Sequence, residues 1–158
     1  MMRMLYLAYI VSMTYFLTSC QPEVQEAIGL TDLTSFKWEN RIVVVFSSKE
    51  EKIDIVTQLQ SADQDEEIVD RDILWFVVSG DVVNSNYFGD LSEGLGPHLR
   101  DLYQIDSEDE VEVVLIGKDG GVKYRDSQLL TENIYTRIDA MPMRQSEMRL
   151  NGSEGGGQ

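Results

Sequence analysis

Two short runs constrain this chain more than anything else in it. Arg41 to Phe46 (RIVVVF) and Ile73 to Val78 (ILWFVV) are continuous β-branched and aromatic stretches with no polar alternation after their first residues. A strand with one wet face alternates, so an unbroken run marks a strand covered on both faces. Between the two, Ser48-x-x-Glu51 reads as a capping box, and Ile53, Val56, Leu59 and Ala62 recur at helical spacing. Two buried strands joined through a helix are expected to lie parallel, with a right-handed crossover.

The remaining elements follow from local signals. Residues 84–96 are polar and Gly-rich and read as a loop, after which Pro97 can open a helix through Leu99, Leu102 and Tyr103. Glu112 to Ile116 reads as a third strand, Lys118-Asp119-Gly120-Gly121 as a hairpin turn, and Val122 to Arg125 as a fourth strand. Thr131 can cap a last helix with Ile134, Ile138 and Met141 on its apolar side, and from Gln145 onward the chain is expected to fray. The resulting order is β-α-β-α-β-β-α: an α/β fold with a mixed four-stranded sheet and helices on both faces. A thioredoxin-like core has this order, and other α+β arrangements share it.

The N-terminus carries a different message. Arg3 precedes an uncharged, mostly apolar run from Met4 to Leu17, too short for a bilayer span of about 20 residues but fit for the core of a signal peptide. Leu17-Thr18-Ser19-Cys20 then resembles the lipobox of bacterial lipoproteins. That resemblance implies cleavage before Cys20, diacylation of its thiol, and a stable lipid anchor through several acyl chains. An ordinary signal peptide or an uncleaved anchor is the alternative. Gln21 stands where an inner-membrane retention signal would carry Asp, so in a two-membrane bacterium the resemblance implies the periplasmic face of the outer membrane. The expected organisation is a signal peptide at 1–19, lipidated Cys20 and a tether to residue 36, a domain at 37–144, and a flexible tail at 145–158.

Charge and rare residues exclude several function classes. Thirteen Lys plus Arg against 28 Asp plus Glu give a net charge of −15, which argues against nucleic acid as a partner. One Cys and one His argue against disulfide scaffolds, Cys/His zinc sites and two-thiol redox chemistry. No cofactor is expected.

Several segments together resemble a known family. They are Leu33, Trp38-x-Asn40-Arg41, Arg71-Asp72, Leu115 to Lys123 (LIGKDGGVK) and Ile138 to Arg144 (IDAMPMR). The family is a domain of unknown function in bacterial exported proteins, also found at the C-terminal end of sushi-repeat-containing and related extracellular-matrix proteins. The resemblance covers about residues 30–149, and it implies a thioredoxin-like fold without an established enzymatic activity.

The residues themselves speak against thioredoxin chemistry. In that fold the attacking Cys sits where the first strand meets the first helix, because the helix dipole lowers its pKa. Here the junction reads Phe46-Ser47-Ser48-Lys49, with no Cys, and the segment before the third strand, Asp106 to Glu110, has no Pro. Ser47 or Ser48 with His98 could form a nucleophile and base, but helix capping explains both serines without chemistry. Asp63, Asp65, Glu66 and Glu67, and Asp106, Glu108, Asp109, Glu110 and Glu112, are acidic clusters that offer oxygen to Ca²⁺, though neither has the spacing of a calcium loop. Solvated acidic loops are the plainer reading.

Residues 117–150 hold six basic and five acidic groups, whereas 21–116 hold six and 22. Lys118, Lys123, Arg125 and Arg144 therefore mark a locally basic end, read either as hairpin and helix-end structure or as a contact surface for an anionic partner. The expected function is a lipid-anchored, redox-inactive binding module for an envelope protein or glycan. The alternative is a thiol-free, carboxylate-dependent envelope hydrolase.

Overall fold

The computed structural model describes residues 29–64, 66–107 and 109–154. The expected signal peptide, Cys20, the first part of the expected tether, Asp65, Glu108 and residues 155–158 lie outside the described residues. Five strands form one sheet: β1 (Arg41–Phe46), β2 (Ile73–Ser79), β3 (Val82–Ser85), β4 (Glu112–Ile116) and β5 (Val122–Asp126), in the order β3-β2-β1-β4-β5. β1 and β2 are parallel, with Val44 opposite Phe76, and the other pairs are antiparallel. A 3-10 turn (Thr34–Phe36) precedes the sheet, and the helices are α1 (Lys52–Gln64), α2 (Glu66–Asp70), α3 (Leu95–Tyr103), α4 (Thr131–Asp139) and α5 (Pro142–Glu154).

The unbroken strand runs have the expected cause. Successive side chains point to opposite faces, and both faces are covered. Val43, Val45, Trp75, Val77 and Leu115 pack on one side against Ile55 and Leu59 of α1, Ile68 of α2, and Ile134 and Ile138 of α4. Val44, Phe46, Phe76, Val78 and Val114 pack on the other against Leu33, Phe36, and Leu95 and Leu99 of α3. All six residues of β1 are buried, Arg41 among them.

Several expectations need correction. The sheet has five strands, because Gly80-Asp81 closes a two-residue hairpin that lays β3 along β2, where a loop from residue 84 was expected. Gly80 sits at φ +57, and Ser85 and Asn86 pin the new strand by bonds to the Trp75 backbone. In α1 Leu59, Val56 and Ala62 face the core as expected, but Ile55 joins them and Ile53 is 72% exposed. Pro97 lies in the first turn of α3 as expected, and Gly96 before it lets the helix approach β2 and β3. A Cβ there would lie 3.2 Å from Val83. Thr131 is the first residue of α4, and Leu130 holds the N-cap position without a side-chain cap.

The domain reaches further at both ends than expected. Residues 145–154 continue a helix that starts at Pro142, so the described part of the expected tail belongs to the domain. At the other end Leu33 and Phe36, assigned to the tether, are buried, and Leu30 bridges to Leu91.

Candidate functional site

The junction of β1 and α1 is built for capping. Ser48 Oγ accepts the Glu51 N–H at 3.3 Å, one half of the expected capping box, and donates to the Glu51 carboxylate at 3.1 Å, a side-chain bond in place of the box's second backbone bond. Ser47 is buried, and no hydrogen-bond partner for its hydroxyl stands among the described residues. His98 borders a cavity with Asn40 and Ile42, at the opposite end of β1. Seven extended residues separate the two ends by roughly 20 Å. The structure does not bring the serines and the imidazole together.

What it does bring together is the set of motif segments, at the end of the sheet where β1 and β2 begin. Arg41 donates through Nη1 to the Arg71 carbonyl at 2.9 Å and through Nη2 to Glu147 at 3.0 Å. Arg71 reaches from the start of β2 to Asp139 at the end of α4 with two parallel bonds, 3.0 and 2.7 Å, and lies 4.8 Å from the Tyr135 ring. Arg144 of α5 donates to the Asp70 carbonyl at 2.7 Å and pairs with the carboxylates of Asp70 and Asp139. Lys118, at the tip of the β4–β5 hairpin, bonds Asp72 at 2.7 Å and Glu147 at 3.0 Å. Trp38 donates its backbone N–H to the Lys118 carbonyl at 2.6 Å.

This network has cations inside and anions outside. The side chains of Arg41, Arg144, Arg71 and Lys118 are 1%, 5%, 11% and 11% exposed, while those of Asp70 and Asp72 are about half exposed. A buried cation without partners would be costly, so α5 is tied to the sheet by the carboxylate that Glu147 supplies to Arg41, and the hairpin by the carboxylates that Asp72 and Glu147 supply to Lys118. Bidentate guanidinium geometry adds direction to those ties. Arg41 opens a fully buried strand, and that position alone signalled a required acidic partner. Glu147 itself had no signal, because α5 lacks an apolar period.

The four nominated cations divide. Lys118 and Arg144 belong to the network. Lys123 borders the same end and pairs with Asp119 at 2.6 Å. Arg125 lies at the other end of the sheet, paired with Glu112 and donating to the Tyr103 carbonyl at 2.9 Å. All four have partners within the chain. The hairpin is rigid for a reason legible in sequence: Gly120, at φ +80, donates to the Gly117 carbonyl, the left-handed position such a turn requires.

The acidic clusters have structural tasks as well. Asp63 accepts the Trp75 indole N–H at 2.9 Å and the Asn86 amide at 3.0 Å, and Glu67 pairs with Arg71. Among the described residues no three His, Cys, Asp or Glu side chains gather as a metal site. A cavity of about 700 Å³ opens beside α1 and is bordered by Glu51, Asp54, Asp109 and Glu110.

Charge coupling makes the network pH-sensitive. Burial alone would raise the Asp139 carboxyl, but hydrogen bonds and charge from Arg71 and then Arg144 outweigh it and hold it below its usual 3.8. At Glu147 burial is again outweighed, by Lys118 and Arg41, and the carboxyl falls below its usual 4.5. Lowered folded-state values contribute stability above the ordinary values and lose it as pH falls through the folded ones. Unfolding free energy should therefore decline as pH drops below about 4.5. In Asp139→Asn/Glu147→Gln that decline should be shallower, with lower stability at pH 7. Urea titrations at a series of pH values measure both, and an unchanged slope would contradict the assignment.

Among the described residues no helix is long and apolar enough to cross a membrane. The chain matches no curated protein and no solved structure. It does match a family over residues 32–147, a span from just before the 3-10 turn to Glu147, the carboxylate that bridges Arg41 and Lys118. On that match over most of its length, the chain belongs to the family described as Domain of unknown function (DUF4174).

Proposed function

We propose that this protein is a lipid-anchored, redox-inactive module of the cell envelope with a thioredoxin-like core, and that it binds a partner through the hairpin end of its sheet. The observation that carries this reading is the convergence at one end of Trp38, Arg41, Arg71, Lys118 and Arg144, contributed by segments far apart in sequence. Strand order supports the core assignment: without β3, the parallel β1–β2 pair is extended by antiparallel β4 and β5. The β1–α1 junction, where the thioredoxin thiol would stand, carries Ser47 and Ser48. Anchoring rests on Leu17-Thr18-Ser19-Cys20.

The network narrows the nominated surface. Lys118 and Arg144 build the end, whereas Lys123 and the exposed Trp38 and Lys37 face outward from it. An exposed Trp at φ +73, fixed by a backbone bond to the hairpin, is a rigid apolar anchor of the sort that dominates binding surfaces. The hydrolase alternative needs a carboxyl held protonated. Every described carboxyl that departs from its ordinary value (Asp32, Asp119, Asp126, Asp139 and Glu147) moves down.

Site-specific photocrosslinking in intact cells tests the reading. A photoreactive residue at Lys123 should give a discrete adduct, and one at Glu51 should not. In a Cys20→Ser background the Lys123 adduct should fade, because the domain is no longer held beside its partner. Adducts from Glu51 alone would contradict the proposal.

A further inference from the structure

We propose that the loop carrying Phe88 rests on the membrane that holds the anchor, with the Phe88 ring inserted at the level of the headgroups and upper acyl chains. The inference rests on the lipid-anchored reading and adds which face of the domain the lipid surface meets. Cys20 and Gly29 are nine peptide steps apart, a span of at most roughly 30 Å. Gly29 and Leu30 are strapped to residues 90–92. Leu30 donates its N–H to the Asp90 carbonyl at 2.8 Å and accepts the Ser92 N–H at 3.0 Å. A Cβ on Gly29 would lie 2.7 Å from the Leu91 carbonyl carbon, so the strap needs a glycine there. Acylation of Cys20 therefore keeps the bilayer surface within roughly 30 Å of the strap, which begins two residues from Phe88.

Phe88 is fully exposed, and Val69, on the border of the same cavity of about 390 Å³, is 71% exposed. A lone exposed apolar side chain is ordinary. Here two large ones stand together, and the loop under Phe88 is braced. Asn86 accepts the Trp75 N–H at 2.9 Å and donates to Asp63 at 3.0 Å and to the Ile73 carbonyl at 3.3 Å. The Tyr87 ring meets Phe36 edge-on, with centroids 5.2 Å apart. An apolar ring already held outward loses little freedom on insertion. Residues 73–97 contain no Lys or Arg and three acidic groups, Asp81, Asp90 and Glu93, so the contact is apolar and draws nothing from anionic headgroups. Shallow insertion of the ring leaves these carboxylates in the hydrated headgroup layer. Phe88 follows β3 at one edge of the sheet and Lys123 lies on β5 at the other, roughly 20 Å away across the strands. Lipid at the first edge leaves the second open to a partner.

Fluorescence of the full chain carrying Phe88→Trp, purified from membranes and reconstituted into zwitterionic vesicles, tests this, with the wild-type emission of Trp38 and Trp75 subtracted. The added emission should shift to the blue. Lipids brominated high on the acyl chain should quench it more than lipids brominated near the chain end, as for a depth on the order of 5–10 Å. Ile53→Trp, at a position 72% exposed on the first turn of α1 by the opposite end of the sheet, should be neither shifted nor quenched. Both sites are exposed, so neither substitution disturbs the core. Mass spectrometry of the same preparation reads the acyl groups on Cys20. In an acylated chain, no quenching at Phe88→Trp, equal quenching at Ile53→Trp, or quenching that requires anionic lipid would overturn the contact and leave the anchor standing. A blue shift that brominated lipid leaves unchanged would mean that protein covers the loop, and would overturn it too. A chain without acyl mass would overturn the anchored reading and this inference together.

Discussion

Arg41→Ala is expected to lower the unfolding free energy by about 3–5 kcal/mol, the range for breaking a buried charge pair by removing one partner. The guanidinium is 1% exposed, its two Nη groups are spent on the Arg71 carbonyl and Glu147, and it lies where β1, β2 and α5 meet. Truncation leaves a void, an orphaned carbonyl and an underused carboxylate together. Arg41→Lys should recover only part of the loss, because a single ammonium cannot reach both partners with the fixed fork of an arginine. Urea unfolding gives the comparison, with an unchanged m value confirming that the unfolding reaction is the same. A loss under about 1 kcal/mol would mean that the network only decorates the sheet.

Cutting the chain after Ala140 should be at least as damaging, although among the described side chains removed only Arg144 is buried and only Met141 and Glu147 are half-buried. The cut takes away Arg144 and Glu147, and so leaves Arg41 and Lys118 each short of a carboxylate, and Asp70 and Asp139 without the Arg144 cation. A domain of this size is stable by about 5–15 kcal/mol, so a loss of several kcal/mol brings it near unfolding. Cutting after Leu150 keeps both residues and should cost less than about 1 kcal/mol. Thermal melting of the two truncations separates a helix that closes the domain from a tail that merely follows it. Similar melting temperatures for both would contradict the first reading.

The sequence was legible where burial wrote a pattern. β1, β2, β4 and β5 sit where their apolar runs and turn residues put them, because each strand is paired on both sides or closed by a Gly turn. β3 was missed because it is a half-exposed edge strand with no alternation, and only Gly80-Asp81 announced it. α5 was missed for a related reason. It is held by Arg144 and Glu147 through charge, and a single buried arginine leaves no periodicity to read. The candidate end was visible as separate motif segments, but the pairing of Arg71 with Asp139 and of Lys118 with Glu147 joins residues 68 and 29 positions apart. Local reasoning left Lys118 and Arg144 open between hairpin or helix-end structure and a contact surface. The fold pairs both within the buried network and sets Arg125 at the far end.

The central claim is that the hairpin end, and not the β1–α1 junction, meets the partner. Amide hydrogen exchange of the full chain in native membranes, compared with the same chain purified into nanodiscs, tests it most directly. The account predicts slower exchange in native membranes at residues 37–40 and 117–123, with residues 47–52 and 109–111 unchanged. Protection confined to residues 47–52 and 109–111 would contradict it and move the functional surface to the opposite end of the sheet.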